Sequence, residues 1–198
     1  MVHTRKTAKI SISMLFIFSF VLFSLFIAGC GGGEKNVIRD AGEPTPTLDN
    51  DLNTAEDYFS KEDYANAAIA YENFVQKHSL NDNVPYALFR EGLSYFKISE
   101  DTRRDQASTE KAAAKFSQLI LMYPNNKYVP NAMSYLRLCH ERLAGYNFNV
   151  GLEYFKRKEY NAAILRFQDV ITKYSGFGFD EEAKRYIEES KRLLSEMK

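Results

Sequence analysis

The sequence predicts an all-α fold in which stacked helical hairpins occupy residues 51–198. Two observations predict it. Apolar residues recur at spacings of three and four throughout this range, which is interrupted only by short breaks at Pro or Asn clusters. The range also repeats itself, because residues 61–79 align with residues 157–175 and a third copy runs from Ala112 to Pro124. A repeat of this kind indicates helical units that bury a shared core by stacking.

Each copy pairs two helices through matched small and large residues. On the first helix, a small residue precedes a tyrosine by three positions, as in Ala55 and Tyr58, Gly92 and Tyr95, and Gly151 and Tyr154. On the second helix, an alanine precedes an aromatic residue by four, as in Ala67 and Tyr71, Ala112 and Phe116, and Ala163 and Phe167. Small residues let two helix backbones approach closely, and the ring fills the space beside them. This pattern resembles the tetratricopeptide repeat (TPR), whose hairpins form a right-handed superhelix with a concave groove.

The middle copy carries extra residues between its small residue, Gly92, and its alanine, Ala112. They fall within the polar stretch 99–110 and predict a long hairpin loop. A charged loop on a rigid scaffold is a candidate partner-contact site, here comprising Arg103, Arg104, Asp105 and Gln106. The alternative is purely local structure, in which Asp105 or Ser108 caps the following helix and the arginines are solvated.

Two more helices follow from the apolar pattern. Residues 127–156 predict one long helix or two nearly coaxial ones, with a kink at Gly145. Residues 180–197 predict a last amphipathic helix that caps the open end of the stack. Its apolar side comprises Ala183, Tyr186, Ile187, Leu193 and Leu194.

Apolar, mostly aromatic residues recur at matching places near the packing tyrosines. They predict a stripe along the concave side that could hold an extended or helical segment of a partner. The candidate groove residues are Leu52, Phe59, Phe89, Phe96, Phe148 and Phe155. The alternative is that these side chains fill the seams between neighbouring hairpins.

The first thirty residues predict export and lipid attachment. Arg5, Lys6 and Lys9 precede an apolar run over residues 10–28, and Cys30 follows small residues. This segment resembles a bacterial lipobox, which implies a signal peptide over 1–29, a lipidated Cys30 and a flexible tether over 30–50. Two or more acyl chains hold a protein stably on a membrane. An uncleaved transmembrane helix and a plain secretory leader remain as alternatives.

Charge and motif content argue against nucleic acid and catalysis. Without residues 1–29 the chain has 23 basic and 26 acidic residues, so no basic face for nucleic acid is expected. Cys139 and His140 are adjacent on a predicted helix and point about 100° apart, so they cannot act as nucleophile and base. No metal-ligand spacing or phosphate-binding loop is evident. We therefore expect no enzyme, no cofactor beyond the lipid on Cys30 and no small-molecule substrate.

The order of these features is similar to the BamD (YfiO/ComL) family of lipoproteins. The matching segments are residues 83–93, 104–106, 123–128, 142–144, 150–157 and 160–164. The resemblance implies a subunit of the outer-membrane β-barrel assembly complex on the periplasmic face. Its implied partners are the barrel-forming scaffold protein and the other lipoproteins of that complex, and the lipid is the implied membrane contact. A glycine such as Gly31 directly after the cysteine resembles the pattern of lipoproteins that are sent to the outer membrane.

Members of that family usually carry more hairpins, so we expect at least the first repeat to be missing. In the family the amino-terminal end is associated with unfolded barrel substrates, and the carboxy-terminal half contacts the scaffold. The family pattern also favours an acid near Asn147, which is absent here. Scaffold docking is therefore expected more than substrate recognition. The alternative function is a periplasmic TPR adaptor lipoprotein for cell-division or cell-wall machinery.

Overall fold

A computed structural model describes residues 50–101 and 106–197, and the predicted leader, Cys30 and nearly all of the predicted tether lie outside these ranges. Within them the chain forms seven α-helices and no strand, which confirms the predicted all-α class. The helices are α1 (Asn50–Ser60), α2 (Tyr64–Lys77), α3 (Val84–Asp101), α4 (Gln106–Met122), α5 (Val129–Lys156), α6 (Tyr160–Lys173) and α7 (Asp180–Glu196).

Each described helix packs chiefly against its neighbours in sequence, and α3 and α5 add a smaller contact across one intervening helix. This sequential packing is the arrangement of stacked hairpins, in which each repeat touches only the next. The TPR-like fold predicted from the repeat is therefore confirmed. The chain forms α1–α2, α3–α4 and α5–α6 hairpins with α7 packed on the last one.

The small residues of the repeat are required by close helix approach. A Cβ atom added to Gly92 would lie 2.8 Å from the Phe116 ring, and one added to Gly151 would lie 2.7 Å from the Phe167 ring. Both rings are fully buried, as are the three repeat alanines Ala67, Ala112 and Ala163. The predicted pairing of small and large residues is confirmed in the second and third repeats.

The insertion in the middle repeat lengthens helices instead of the loop. Helix α3 continues to Asp101 and α4 begins at Gln106, so only residues 102–105 separate them. The prediction of a long loop over 99–110 is therefore wrong. Four of its described residues, Glu100, Gln106, Ala107 and Glu110, are good helix formers. The α3–α4 hairpin extends about one helical turn further past its packing residues than the other two hairpins do.

The carboxy-terminal half is built on one long helix. Helix α5 runs unbroken for 28 residues, with Pro130 in its first turn where the missing amide costs nothing. Gly145 lies within it, and an added Cβ would come 3.5 Å from the ring of Phe179. Helix α7 buries Ala183 and Ile187 against the last hairpin, whereas the predicted core residues Leu193 and Leu194 are only partly buried.

Candidate functional site

The candidate groove is wrong at four of its six positions. Leu52, Phe89, Phe96 and Phe148 are each at most 5% exposed, so they are core residues that a partner cannot reach. Phe89 lies between the rings of Phe116 and Tyr128, with centroids 6.0 and 5.6 Å away. The aromatic stripe therefore fills the seams between hairpins, which is the alternative that the sequence left open.

The other two groove candidates are half-buried and are also engaged within the chain. The Arg90 guanidinium lies 3.6 Å above the Phe59 ring, in a cation–π contact. Phe155 packs edge-on against Tyr160 and Tyr186, with centroids 5.6 and 5.1 Å away. Both residues contribute to hairpin packing at the rim of the core.

The seam between the first two hairpins contains a charged network, here called the Arg90 network, of Glu56, Tyr71, Tyr86 and Arg90. Arg90 Nη2 donates to Glu56 Oε2 at 2.8 Å, and its Nε donates to Glu56 Oε1 at 3.2 Å. The hydroxyl of Tyr86 donates to Glu56 Oε1 at 2.8 Å, and that of Tyr71 donates to the same oxygen. One glutamate of α1 thus ties α2 and α3 together.

The tyrosines of the Arg90 network act as neutral donors. Burial raises the pKa of both Tyr71 and Tyr86 well above the ordinary value for tyrosine. Arg90 and Glu56 are mostly covered, with side chains 10% and 21% exposed. A paired, hydrogen-bonded charge of this kind is tolerated in a core, but either partner alone is not.

A second buried charge lies one residue further along α3. Glu91 is fully buried, and Lys115 Nζ on α4 lies 2.8 Å from its Oε1. Lys115 Nζ is also 3.8 Å from Glu72 Oε1 of α2. Glu91 Oε2 has no hydrogen-bond partner among the described residues. Burial raises the pKa of Glu91 to about 7, although Lys115 opposes this shift.

Gln106 lines a cleft of about 530 Å³ between the α3–α4 hairpin and α5. Arg142 of α5 also lines it, donates to Ser99 Oγ at 2.9 Å and to Glu100 Oε1 at 3.2 Å, and lies 4.0 Å above the Phe96 ring. Ser108 is the third residue of α4, so it does not precede the helix as a cap. The other loop candidates, Arg103, Arg104 and Asp105, lie outside the described residues.

Sequence reasoning missed an exposed surface on the last hairpin, here called the Leu165 surface, which comprises Tyr146, Tyr154, Leu165 and Arg166. Leu165 is 65% exposed. Tyr154 lines two shallow clefts of about 470 and 740 Å³, one shared with Tyr146 and the other with Leu165 and Arg166. Arg166 Nη1 donates to Asn147 Oδ1 at 3.4 Å. Asn147, near which the family resemblance implies an acid, thus offers Arg166 an amide oxygen instead of a carboxylate. The sequence offered one signal for this surface, because Leu165 has an apolar counterpart, Ile69, at the equivalent position of the first repeat.

The cysteine–histidine pair has no catalytic geometry. Cys139 is fully buried, and burial raises the pKa of its thiol to about 12. His140 lies instead beside the rings of Tyr174 and Phe177, with centroids 6.0 and 5.8 Å away. In the part of the chain that the structure describes, no group of three His, Cys, Asp or Glu side chains could hold a metal ion. None of the seven described helices has the length and apolar content needed to cross a bilayer.

Comparison with known proteins identifies the family. The model of the YfiO family, described as outer membrane lipoprotein, matches residues 44–198. An outer membrane protein assembly factor BamD from Rickettsia prowazekii is 31% identical over 152 residues, which cover 77% of this chain and 60% of that protein. The BamD proteins of Caulobacter vibrioides and Neisseria meningitidis serogroup A are 30% and 31% identical, over 68% and 72% of this chain and 50% and 55% of theirs.

This chain therefore spans half to three-fifths of the length of these curated relatives. The matched region contains all three hairpins and the last helix. On the strength of a family match over most of its length, the chain belongs to the YfiO family of outer membrane lipoproteins.

Proposed function

We propose that this chain is a non-enzymatic lipoprotein subunit of the machinery that assembles β-barrel proteins in the outer membrane. The support is its family and the shared name of its relatives, which are outer membrane protein assembly factors. In this role the chain docks onto the periplasmic part of the barrel-forming scaffold protein, in the company of other lipoproteins. It performs no chemistry and acts by positioning its partners.

Within the structure, the Leu165 surface is the observation that supports docking onto a protein partner. Leu165 lies exposed on α6 and shares a cleft of about 740 Å³ with Tyr154 and Arg166. Exposed Leu and Tyr side chains supply apolar contact area, and Arg is enriched with Tyr at protein interfaces. The surface thus suits a folded protein partner with apolar anchor residues and a carboxylate opposite Arg166.

The position of the protein in the cell is part of the proposal. Acylation at Cys30 fixes the chain to the outer membrane, with residues 51–198 on the periplasmic side. Replacing Cys30 with Ala removes the acceptor thiol, so we expect the chain to leave the membrane fraction. Retention in that fraction would show that acylation is not the attachment.

Affinity capture with two matched variants tests scaffold docking. Leu165 and Ile69 occupy equivalent positions in the third and first repeats and are 65% and 54% exposed. Leu165→Asp introduces a charge into the proposed interface, and we expect about a tenfold or greater loss of the captured scaffold, which corresponds to 1.4 kcal/mol or more. Ile69→Asp should capture as much scaffold as the unchanged chain. Equal capture by both variants would contradict docking through the Leu165 surface, and recovery of cell-wall or division proteins instead of the scaffold would contradict the function.

The segment Arg103 to Gln106 remains a second proposed contact. Gln106 lines a cleft together with Glu100 and Arg142, so a partner that enters this cleft would meet both charges. Capture with Arg103 and Arg104 replaced by Ala tests it separately from the Leu165 surface. Unchanged capture would favour the alternative of a solvated segment.

A further inference from the structure

The described chain has an edge at which three segments meet, here called the turn edge. It consists of the start of α1 at Asn50, the turns 78–83 and 123–128, and the helix ends that flank these turns. Asp51 Oδ2 lies 3.0 Å from His78 Nε2 and 3.5 Å from Lys77 Nζ, which places the start of α1 beside the first turn. Tyr128 packs against the Tyr86 ring near the start of α3, with centroids 5.3 Å apart, which places the second turn beside the first.

Large apolar side chains project into solvent along the turn edge. Leu80, within the first turn, is 98% exposed. Leu121 and Met122, which immediately precede the second turn, are 83% and 56% exposed, and Met133 in the second turn of α5 is 58% exposed. Contiguous exposed apolar groups on a soluble domain indicate a partner or membrane contact. The Tyr86–Tyr128 contact brings together the two turns that carry or flank these exposed side chains.

From this arrangement we propose that the turn edge is a second membrane contact and lies against the lipid surface to which Cys30 is attached. The proposal rests on the lipid attachment in the proposed function and goes beyond it, since the lipid alone was expected to touch the membrane. The chain that leads from Cys30 enters the described domain at Asn50, which lies on this edge. Some twenty residues separate the two points, with a root-mean-square reach of roughly 25 Å if flexible.

Weak apolar contacts suffice once the domain is tethered. A tether of this length holds the edge at an effective concentration in about the millimolar range. Each leucine side chain buried from water favours association by roughly tenfold or more. The edge therefore needs only a few such residues to settle on the bilayer and set the orientation of the hairpins.

The charges of the turn edge point to the apolar part of the lipid as the attraction. Asp51 is paired with Lys77 and His78. The two turns otherwise contribute Asp82 and Lys127, whose charges are opposite. A nearly neutral edge gives no strong attraction to anionic headgroups, which is the role of clustered Lys and Arg. Contact should therefore persist on zwitterionic lipid and at high salt.

Tryptophan fluorescence tests the proposal, because the chain contains no tryptophan. The acylated full-length chain would be placed on phosphatidylcholine vesicles as the Leu121→Trp variant and, separately, as the Leu80→Trp variant. We expect a blue-shifted emission and loss of intensity when the lipids carry bromine on their acyl chains. Leu165→Trp is the matched control, because Leu165 is also exposed, at 65%, but lies on the proposed scaffold-binding surface. It should keep a solvent-exposed emission unaffected by bromine.

Each outcome decides the proposal. Far-ultraviolet circular dichroism checks that the variants are folded, which the exposure of all three positions favours. Solvent-like emission at positions 80 and 121 would overturn the membrane contact, as would equal quenching at all three positions. If the tryptophan emission at positions 80 and 121 is solvent-like on vesicles but blue-shifted in isolated cell envelopes, the turn edge binds a protein and the membrane contact is overturned. Co-sedimentation reports the lipid attachment separately, and scaffold capture does not enter this experiment.

Discussion

The first and last seams of the described stack are closed by different chemistry, although the α3–α4 and α5–α6 hairpins beside them share the same backbone approach. Gly92 meets the Phe116 ring and Gly151 meets the Phe167 ring in nearly the same geometry. The seam between the first hairpins adds the ion pair of Glu56 and Arg90. The last seam is closed by apolar packing, with Tyr186 of α7 stacked on Phe167 at 5.2 Å and Ala183 and Ile187 buried beside it.

The difference shows that the repeat specifies helix approach and leaves the remaining space to local chemistry. A charged network is worth little net free energy relative to an apolar filling, but it becomes costly once one partner is removed. An aromatic cluster has no such dependence and responds to lost volume. The first seam should therefore respond strongly to charge changes and the last should not.

The largest expected effect comes from removing the guanidinium of Arg90. Arg90→Ala leaves the Glu56 carboxylate with only tyrosine donors, and we expect a loss of about 3–5 kcal/mol in the free energy of unfolding. Urea denaturation followed by circular dichroism would measure it. Arg185→Ala is the matched control on α7, because Arg185 is 70% exposed and its ion pair is with Glu182, three residues away on the same helix. That change should cost about 0–1 kcal/mol. Equal losses would remove the distinction between the seams.

A smaller effect concerns pH. The pKa of Glu91 is about 7 in the folded chain and 4.5 in its ordinary range. Below pH 4.5 Glu91 is protonated in both the folded and the unfolded chain, so its burial carries no ionisation cost to the free energy of unfolding. The cost grows as pH rises to about 7 and is constant above that. Glu91→Gln should remove this dependence on pH. Relative to the unchanged chain, its free energy of unfolding should rise by roughly 2–3 kcal/mol between pH 5 and pH 8.

Urea midpoints at the two pH values would measure the slope. Glu72→Gln is the control, because Glu72 is 40% exposed and 3.8 Å from the same lysine, and it should change the slope little. If the difference between Glu91→Gln and the unchanged chain is the same at both pH values, Glu91 is ionised in the fold throughout this range.

The smallest effect is common to the α3–α4 and α5–α6 hairpins. Gly92→Ala and Gly151→Ala each place a methyl group within 3 Å of a buried ring. Overpacking of this kind costs about 1–3 kcal/mol, and we expect similar losses at the two sites because their distances nearly match. Thermal unfolding of both variants would check this. Gly145→Ala is the control, since its nearest contact of 3.5 Å is ordinary and alanine favours helix. Unequal stability losses at the two glycines would show that the surroundings of each ring, and not the distance between the helices, control the loss.

Much of the fold was predictable because a repeat reports packing as well as helix periodicity. Ala163 and Gly151 could be placed in the core from their spacing to aromatic residues alone. Exposure was less predictable, because Phe148 has the same periodicity whether it faces a groove or a seam. The Arg90 network was not predictable, since Glu56 and Arg90 meet only when the first hairpin packs against the second. Polar residues in the insertion suggested a loop, yet they lie mostly in helix.

Site-specific photo-crosslinking in living cells tests the central claim most directly. A photoreactive amino acid at position 165 should crosslink to the barrel-forming scaffold protein, because this exposed position lies on the proposed docking surface. The same group at position 69, its exposed counterpart in the first repeat, should not. Scaffold crosslinks from position 69 but not from 165, or from neither, would contradict docking through the carboxy-terminal hairpin.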